Sequence, residues 1–322
     1  MSGRLSSNTL GAALIVIAAA SFGTLGPIAR LADDAGVSSL ALVTWRAGVG
    51  ALVVLAFLAA GSLAGSRSWR RWRELPARDR LFLAIAAPTN AALNFAMFVA
   101  FLRIGIALAL LIFYIYPAFV ALASVIWFGE RLDRLRWAAL AMSLTGVVLV
   151  VAGAGELGAL DSLGIGLALM AALAQTYYAL AAHHGFRAVP GVQAAASTMG
   201  GAAIVYLLAA LVIGQLGAVV AEPLASAAAL GPVLVAGFLG AGLATVCFIT
   251  GIRLLGAPRA TILSTLEPVV GVGLAAVMFG TVPTSVQLAG GALIIAAGIV
   301  LQLRPRGEIG EHEAVAEPEA SG

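Results

Sequence analysis

Ten runs of about 20 predominantly apolar residues follow one another along the chain, separated by short polar connections. A helix needs about 20 such residues to cross the hydrocarbon core of a bilayer. We therefore expect an all-α, polytopic membrane protein with ten transmembrane helices. The predicted spans are 10–30, 38–60, 81–102, 105–128, 135–153, 162–182, 191–213, 230–252, 260–279 and 284–303.

Composition excludes the main soluble classes. Hydrophobic residues make up 61% of the 322 residues and charged residues only 10%, against about 45–50% and about 25% in ordinary soluble domains. A soluble enzyme, a nucleic-acid-binding protein and a disordered chain are therefore excluded. The net charge is only +3, so we expect no nucleic acid as a partner. Cys247 is the single cysteine, which permits no intramolecular disulfide.

The arginines are distributed unevenly over the predicted connections. If both termini lie on one side of the membrane, 15 of the 18 arginines fall on that side, Arg30 and Arg103 fall on the other, and Arg46 lies within a span. Cytoplasmic connections carry the excess of basic residues, so we predict a multi-pass protein of the cell (inner) membrane with both termini in the cytoplasm. Residues 1–9 form the predicted cytoplasmic N-terminus, and residues 304–322 form a predicted disordered, acidic tail.

The chain also contains an internal repeat. Tyr116–Pro117 in the fourth predicted span is followed by Phe128–Gly129, and Glu267–Pro268 in the ninth is followed by Phe279–Gly280 at the same distance. The offset between the two sets is 151 residues. Ten spans and a repeat of this length predict two units of five helices.

The odd number of helices per unit determines the relative orientation of the two units. We place the first repeat at 10–153 and the second at 154–303, with Gly105 and Gly256 each at the turn into its helix. Because five is odd, the second copy runs through the membrane in the opposite direction. Inverted repeats of this kind are typical of secondary transporters, in which the substrate binds between the repeats near the midplane.

Several strings resemble the EamA family of the drug/metabolite transporter superfamily. They are Trp45–Arg46 in the second span, Tyr116–Pro117 leading to Phe128–Arg131 in the fourth, and Leu266–Val269 in the ninth. The resemblance covers essentially residues 10–303 as two copies of five helices. The sequence departs from the family pattern at Thr281, where an acidic residue is usual, and at the first and sixth helices, which lack the usual tryptophan.

This resemblance implies a secondary transporter that works by alternating access and exports or exchanges small metabolites such as amino acids, or drugs. A nucleotide-sugar or phosphorylated-metabolite exchanger, or a lipid-linked flippase of the same superfamily, is the alternative. The expected partners are a small-molecule substrate and the lipid bilayer, with protons as a further candidate, and the chain is expected to act as a monomer or homodimer.

Two ionisable residues inside predicted spans are the first candidates for the substrate site, because charge in hydrocarbon is costly. Arg46 either attracts a substrate carboxylate or phosphate, or anchors a neighbouring helix. Glu267 stands beside a proline break, where it either binds a cation, ammonium group or proton or pairs with an inward arginine. The coupling role is assigned to Glu267.

Uncharged polar side chains within the spans complete the predicted substrate site. Asn94, Tyr116, Gln175 and Tyr178 are the candidates, and Tyr116 occupies the position equivalent to Glu267. Several polar residues recur at helical spacing and share a face, either to line a cavity or to bond neighbouring helices. These sets are Asn90 with Asn94, Ser21 with Thr24, Gln175 with Tyr178, and Thr261 with Ser264 and Thr265.

Enzymatic activity, a cofactor and a metal site are not expected. No catalytic pair is apparent, and no phosphate-binding loop of the kind used by ATP-driven transporters is present in the sequence. His183 and His184 are adjacent, and adjacent residues on a regular helix point about 100° apart, so they do not chelate as an i, i+4 pair does.

Overall fold

The computed structural model describes residues 7–63, 69–153, 161–280 and 282–302. Within these ranges the chain forms helices and no strand. The α-helices are α1 (Ser7–Gly23), α2 (Leu25–Asp34), α3 (Ser39–Leu63), α4 (Ala77–Phe113), α5 (Tyr116–Phe128), α6 (Arg134–Ala152), α7 (Ser162–Leu180), α8 (Gly191–Val212), α9 (Leu216–Ala221), α10 (Ala227–Val235), α11 (Ala244–Leu255), α12 (Ala257–Ser264), α13 (Glu267–Phe279) and α14 (Ser285–Gln302). Two π-helical turns, Ala181–Gly185 and Ala236–Leu243, continue α7 and join α10 to α11.

Nine stretches of the described chain are long and apolar enough to cross a bilayer, and Ser285–Leu301 is a shorter apolar helix at the place of the tenth predicted span. The nine are Ser7–Asp34, Ser39–Ala60, Ala77–Phe101, Leu108–Phe128, Arg134–Ala152, Ser162–Gly185, Gly191–Val212, Ala227–Leu255 and Ala257–Phe279. The protein is therefore a multi-pass membrane protein, and the ten-helix prediction fits. We number these stretches spans 1 to 9 and the shorter helix span 10.

Some predictions fall on residues that the structure does not describe. Thr281, the tail 304–322 and the first six residues of the predicted N-terminal segment lie outside the described ranges.

Spans 4 and 9 have the same local structure at positions 151 residues apart, as the repeat predicts. In each, the helix is interrupted and restarts with a proline in its first turn, at α5 and at α13. Proline suits the first turn because its fixed φ is helical and its missing N–H has no partner there anyway. Each restarted helix ends at a glycine in the left-handed region, Gly129 with φ 65° and Gly280 with φ 66°. The predicted breaks at Pro117 and Pro268 are confirmed.

Gly256 separates α11 from α12 with φ 86°. Pro258 sits in the first turn of α12 and restricts the backbone before it. Gly105 falls between the end of span 3 at Phe101 and the beginning of span 4 at Leu108.

Packing between the repeats follows a two-fold pattern. Helix α4 of the first repeat packs on α7 of the second, and α11 of the second packs on α1 of the first in the same way. Helices α3 and α8 pack on each other, as do α6 and α14, so that each pairs with its own counterpart. This is the arrangement expected of two inverted five-helix repeats.

Equivalent glycines of the two repeats make close contacts with small residues of the other repeat. A Cβ added at Gly50 would lie 2.5 Å from the Cβ of Ala241, and a Cβ added at Gly201 would lie 2.5 Å from the Cβ of Ala87. Gly50 and Gly201 are again 151 residues apart. Membrane helices approach closely where such small residues meet, because there is little hydrophobic driving force between helices in lipid.

Spans 5 and 10 approach each other closely through their backbones. A Cβ at Gly146 would lie 2.7 Å from the carbonyl oxygen of Gly290, and a Cβ at Gly290 would lie 2.6 Å from the carbonyl oxygen of Gly146. The atoms that would be struck belong to the backbone, which cannot move aside as a side chain can. The two helices therefore hold this distance only while both positions are glycine.

We predict that Gly146→Ala destabilises the protein, by an amount on the order of the 1–3 kcal/mol typical of overpacking. The melting temperature of the purified protein in detergent measures the loss. Gly166→Ala is the matched control, since Gly166 is exposed on a spanning helix and has no atom within 4 Å of an added Cβ. An equal effect of both substitutions would show that the crossing is not a close backbone contact.

Candidate functional site

Arg46 lies on α3 in span 2 with its hydrogen-bonding capacity only partly used. Its Nη2 donates a hydrogen bond to Oδ1 of Asn94 at 2.5 Å. Its Nε is buried and has no hydrogen-bond partner among the described residues. A central arginine costs about 2.5–3.5 kcal/mol on insertion scales, and one neutral partner offsets only part of such a cost. The guanidinium retains donors that a ligand can use.

Asn94 is held in place by the residue one turn before it. Its Nδ2 donates to the backbone carbonyl of Asn90 at 2.8 Å, and lies 3.3 Å from the Asn90 side-chain oxygen. The amide is thus oriented with its oxygen towards Arg46. The predicted pairing of these two asparagines on one face of span 3 is confirmed, and its role is to present an acceptor to the arginine of span 2.

Glu267 is the first residue of α13, directly after the break in span 9. Tyr114 lies beside this carboxylate, and the two side chains act electrostatically on each other. The position at a helix N-terminus also favours a negative charge, because the unpaired backbone N–H groups point towards it. The break in the helix therefore places a carboxylate inside the bundle at a point where the backbone stabilises it.

Arg46 and Glu267 come from different repeats and face the same region. Each is among the charges that act electrostatically on the other. Neither forms an ion pair within 4.0 Å in the part of the chain that the structure describes. Both side chains are half-buried.

The break in span 1 lies against the break in span 9. A Cβ added at Gly23, the last residue of α1, would lie 2.7 Å from the carbonyl oxygen of Glu267. Thr24 follows and donates its hydroxyl to the carbonyl of Ser21 at 2.7 Å. The predicted Ser21–Thr24 set therefore serves the bend of its own helix, and glycine at position 23 lets the Glu267 backbone approach.

Tyr116 is buried and forms part of an aromatic cluster beside Glu267. Its ring lies 5.2 Å from that of Phe113 and 6.4 Å from that of Tyr114, measured between centroids. Its side chain interacts with that of Ser264 and with the charge of Glu267. The structure thus brings Tyr116 and Glu267, the two equivalent positions, to one place.

Tyr178 and Gln175 are placed differently from the other candidates. The Tyr178 hydroxyl lies 3.4 Å from Oγ1 of Thr198, and its ring stacks on Phe248 with 6.4 Å between centroids. The charge that acts on it is that of Arg253, not that of Arg46 or Glu267. Gln175 is half-buried on α7 and has no hydrogen bond to any residue that the structure describes.

The hydroxyl groups that precede Glu267 bond within their own helix. Thr261 donates to the carbonyl of Ala257 at 3.0 Å, Ser264 to that of Ala260 at 2.9 Å, and Thr265 to that of Ile262 at 2.6 Å. All three side chains are buried. In these three hydrogen bonds the donor and the acceptor belong to the same helical segment, so they neither join neighbouring helices nor point into a cavity.

Two tyrosines near the site were not among the candidates predicted from the sequence. Tyr114 contacts Glu267, and Tyr206 of span 7 acts electrostatically on Arg46 while donating its hydroxyl to the carbonyl of Ala91 at 3.1 Å. Tyr114 had a usable signal, since it stands two residues before Tyr116 at a proline break. Tyr206 had none, because the contact joins residues 115 positions apart.

Contacts between the repeats also close the bundle on the side of the N-terminus. The buried carboxylate of Asp79 accepts a hydrogen bond from the backbone N–H of Ala188 at 2.7 Å. The backbone of Arg70 forms two hydrogen bonds with the side chain of Gln193, at 2.9 and 2.8 Å. Each of these contacts joins the first repeat to the loop or helix that follows span 6.

Other contacts join the repeats on the opposite side. The backbone N–H of Ser38 donates to Glu222 at 2.7 Å, and Arg103 forms an ion pair with Asp161 at 3.1 Å. Asp161 also caps α7 by accepting from the backbone N–H of Gly164. That backbone hydrogen bond, and then the Arg103 guanidinium, lower the pKa of Asp161. This carboxylate is therefore ionised at neutral pH.

Comparisons with known proteins agree with this architecture. The profile of the EamA-like transporter family matches residues 9–152 and again residues 162–303. A solved crystal structure, described only as that of a protein, is similar with a TM-score of 0.75 at 22% identity, covering 94% of this chain and 98% of its own. Identity at that level shows a common fold alone. A search of the curated proteins finds no match.

The two family matches correspond to the two repeats and together cover most of the chain. They confirm the family resemblance predicted from the short strings around spans 2, 4 and 9, and they make the protein a transporter with a small-molecule substrate. The chain belongs to the EamA-like transporter family.

Proposed function

We propose that the protein is a secondary transporter of the cell (inner) membrane that exports or exchanges small metabolites such as amino acids, or drugs, by alternating access. The observation that carries this proposal is the pair of opposite charges, Arg46 and Glu267, which face one region from different repeats without forming an ion pair. Buried charges are costly unless paired, so a site that keeps them apart is suited to a ligand that pairs with both.

A zwitterionic substrate matches these two charges. A guanidinium binds a carboxylate through two parallel N–H donors, and the hydrogen bond from Arg46 to Asn94 leaves other donors of the group available. Glu267, with Tyr114 beside it, offers acceptors to an ammonium group or takes up a proton. The site therefore favours a small molecule with a carboxylate at one end and an amine at the other.

The breaks in the spans supply the bends that alternating access needs. Spans 4 and 9 both restart at proline beside the site, and contacts between the repeats are present at both ends of the bundle. Rocking of one repeat against the other exchanges these end contacts. The energy comes from a proton gradient, with the proton taken up at Glu267, or from exchange of one solute for another. Both repeats belong to one chain, so a monomer suffices.

A nucleotide-sugar or phosphorylated-metabolite exchanger, or a lipid-linked flippase, is the competing function. Such substrates carry more negative charge and call for several basic groups in the cavity. Among the described residues, the charges that act on Glu267 include one basic group, Arg46. The second arginine deep in the bundle, Arg253, donates to three backbone carbonyls instead.

Flux through proteoliposomes tests the proposal. We expect counterflow of zwitterionic amino acids or related metabolites, and we expect Arg46→Gln to lower it about tenfold or more, the size of effect that follows loss of a charged hydrogen bond. Arg30→Gln is the matched control, because Arg30 lies near the end of span 1, over the ring of Phe279. Folded protein that moves nothing across a panel including phosphorylated sugars argues against any transporter role for this site.

The coupling role of Glu267 has its own test. In Glu267→Gln the amide cannot take up a proton, so uptake or efflux driven by an imposed pH gradient should be lost. Solute exchange at constant pH should be weakened less, because the amide oxygen still accepts a hydrogen bond from an ammonium group. Asp34→Asn serves as control, since Asp34 is exposed at the end of α2. If the glutamine variant responds to the gradient as the unmodified protein does, Glu267 is not the coupling group.

The proposed orientation is testable by labelling, because Cys247 is the single native cysteine. In a Cys247→Ala background, Ser38→Cys should react with a membrane-impermeant maleimide added to intact cells, and Trp72→Cys should react only after the membrane is opened. Both positions are exposed. Ser38 directly precedes α3, and Trp72 lies in the connection that follows it. The reverse labelling pattern would place the termini outside the cytoplasm.

A further inference from the structure

A second polar cluster lies on the N-terminal side of the bundle, away from the candidate site. Glu130 follows the end of α5, and its backbone N–H donates to the carbonyl of Ser124 at 3.0 Å. His183 and His184 lie on the π-helical turn that continues α7. All three side chains are half-buried, and none takes part in the site around Arg46.

The distances within this cluster are those of a ligand set. One ligand atom from each of the three residues lies within 4.8 Å of the other two. Nε2 of His184 lies 3.0 Å from Oε1 of Glu130, and the two imidazole rings meet edge to face at 4.4 Å between centroids. Zinc–ligand bonds of about 2.0–2.2 Å in a tetrahedron put the ligand atoms about 3.4 Å apart, so small side-chain rotations suffice to close the set.

We propose that Glu130, His183 and His184 form a binding site for a transition-metal ion, with Zn²⁺ as the favoured ion. Two imidazole nitrogens and one carboxylate oxygen are a donor set that zinc binds, with water in the fourth position. Ca²⁺ and Mg²⁺ are excluded because they require several oxygen ligands, and this cluster offers only one carboxylate.

The surroundings hold the ligands in position. The ring of Phe128 stacks on His184 with 3.8 Å between centroids and 5° between planes, which fixes the orientation of the imidazole. Arg253 donates to the carbonyl of Ala182 at 3.3 Å and to that of Phe186 at 2.9 Å, on either side of the two histidines. Outer groups that orient the ligands strengthen metal binding.

Two positive charges act against the ion. Arg78 and Arg187 both act electrostatically on His184. They oppose any cation attracted by charge alone, and they leave the bonds to imidazole nitrogen as the main source of affinity. The site is therefore expected to distinguish Zn²⁺ sharply from Mg²⁺, and to bind it less tightly than a closed structural zinc site does.

The cluster lies between the two repeats, so a bound ion would affect their relative movement. Glu130 belongs to the first repeat and both histidines to the second, so a bound ion joins the repeats on the N-terminal side. This consequence rests on the proposed alternating-access function: an ion that holds the repeats together slows their movement. Zn²⁺ binding itself does not depend on that function and is measured separately.

Equilibrium dialysis of the purified full chain, without a polyhistidine tag, against Zn²⁺ tests the site directly. We expect one zinc ion per chain, unaffected by excess Mg²⁺, and an affinity lowered about tenfold or more in His183→Ala and in His184→Ala. His312→Ala is the matched control, because His312 belongs to the acidic tail. Zinc retention that is lost in the His312 variant, or kept in both others, overturns the proposal.

A second measurement needs no variant. Co²⁺ bound by a tetrahedral set of imidazole and carboxylate ligands absorbs strongly in the visible region, and Zn²⁺ should displace it. Folded protein that gives no such absorption contains only a histidine–glutamate ion pair at this place. Zinc that binds but leaves counterflow unchanged supports the metal site and counts against the proposed consequence for transport.

Discussion

The requirement that every backbone N–H and C=O in the hydrocarbon region be hydrogen-bonded within the protein governs this fold. It shapes the two breaks after which Tyr116 and Glu267 begin their helices. At the break in span 4 the N–H of Ile115 donates to the carbonyl of Ile112 at 3.2 Å, and at the break in span 9 the N–H of Leu266 donates to that of Leu263, also at 3.2 Å. These tighter turns satisfy the backbone while changing the direction of the helix.

The two-fold arrangement of the repeats is broken where charge is needed. Tyr116 and Glu267 begin equivalent helices, and only one of them is charged. Arg46 corresponds to Ser197 at the same offset of 151 residues, and again only one carries a charge. A symmetric scaffold with a single arginine from one repeat and a single carboxylate from the other presents a polar axis, which suits a substrate with two different ends.

The sequence was sufficient for the architecture because long apolar runs and prolines act locally. The spans, the breaks at Pro117 and Pro268 and the close pair of Asn90 and Asn94 all depend on residues within a few turns of each other.

The residues of each site were harder to predict, because the sequence of an apolar span distinguishes one helix face from another only weakly. Uniformly apolar helices do not reveal which side faces a neighbour, so the separation of Tyr178 from Glu267 could not be read from spacing. The approach of Glu130 to His184 joins residues 54 positions apart, and a π-helical turn carries the histidines. Neither feature has a signature in a single sequence.

The two ends of the bundle differ in how firmly the repeats are joined. On the N-terminal side a buried carboxylate, Asp79, accepts from a backbone N–H, and such charge-assisted bonds are among the stronger ones. The loop that provides this N–H is itself held by Arg253 and moves with the second repeat. On the opposite side the ion pair of Arg103 and Asp161 and the hydrogen bond from Ser38 to Glu222 are exposed, and exposed charge contacts contribute little. In the proposed cycle the opposite side therefore opens at lower cost from this conformation.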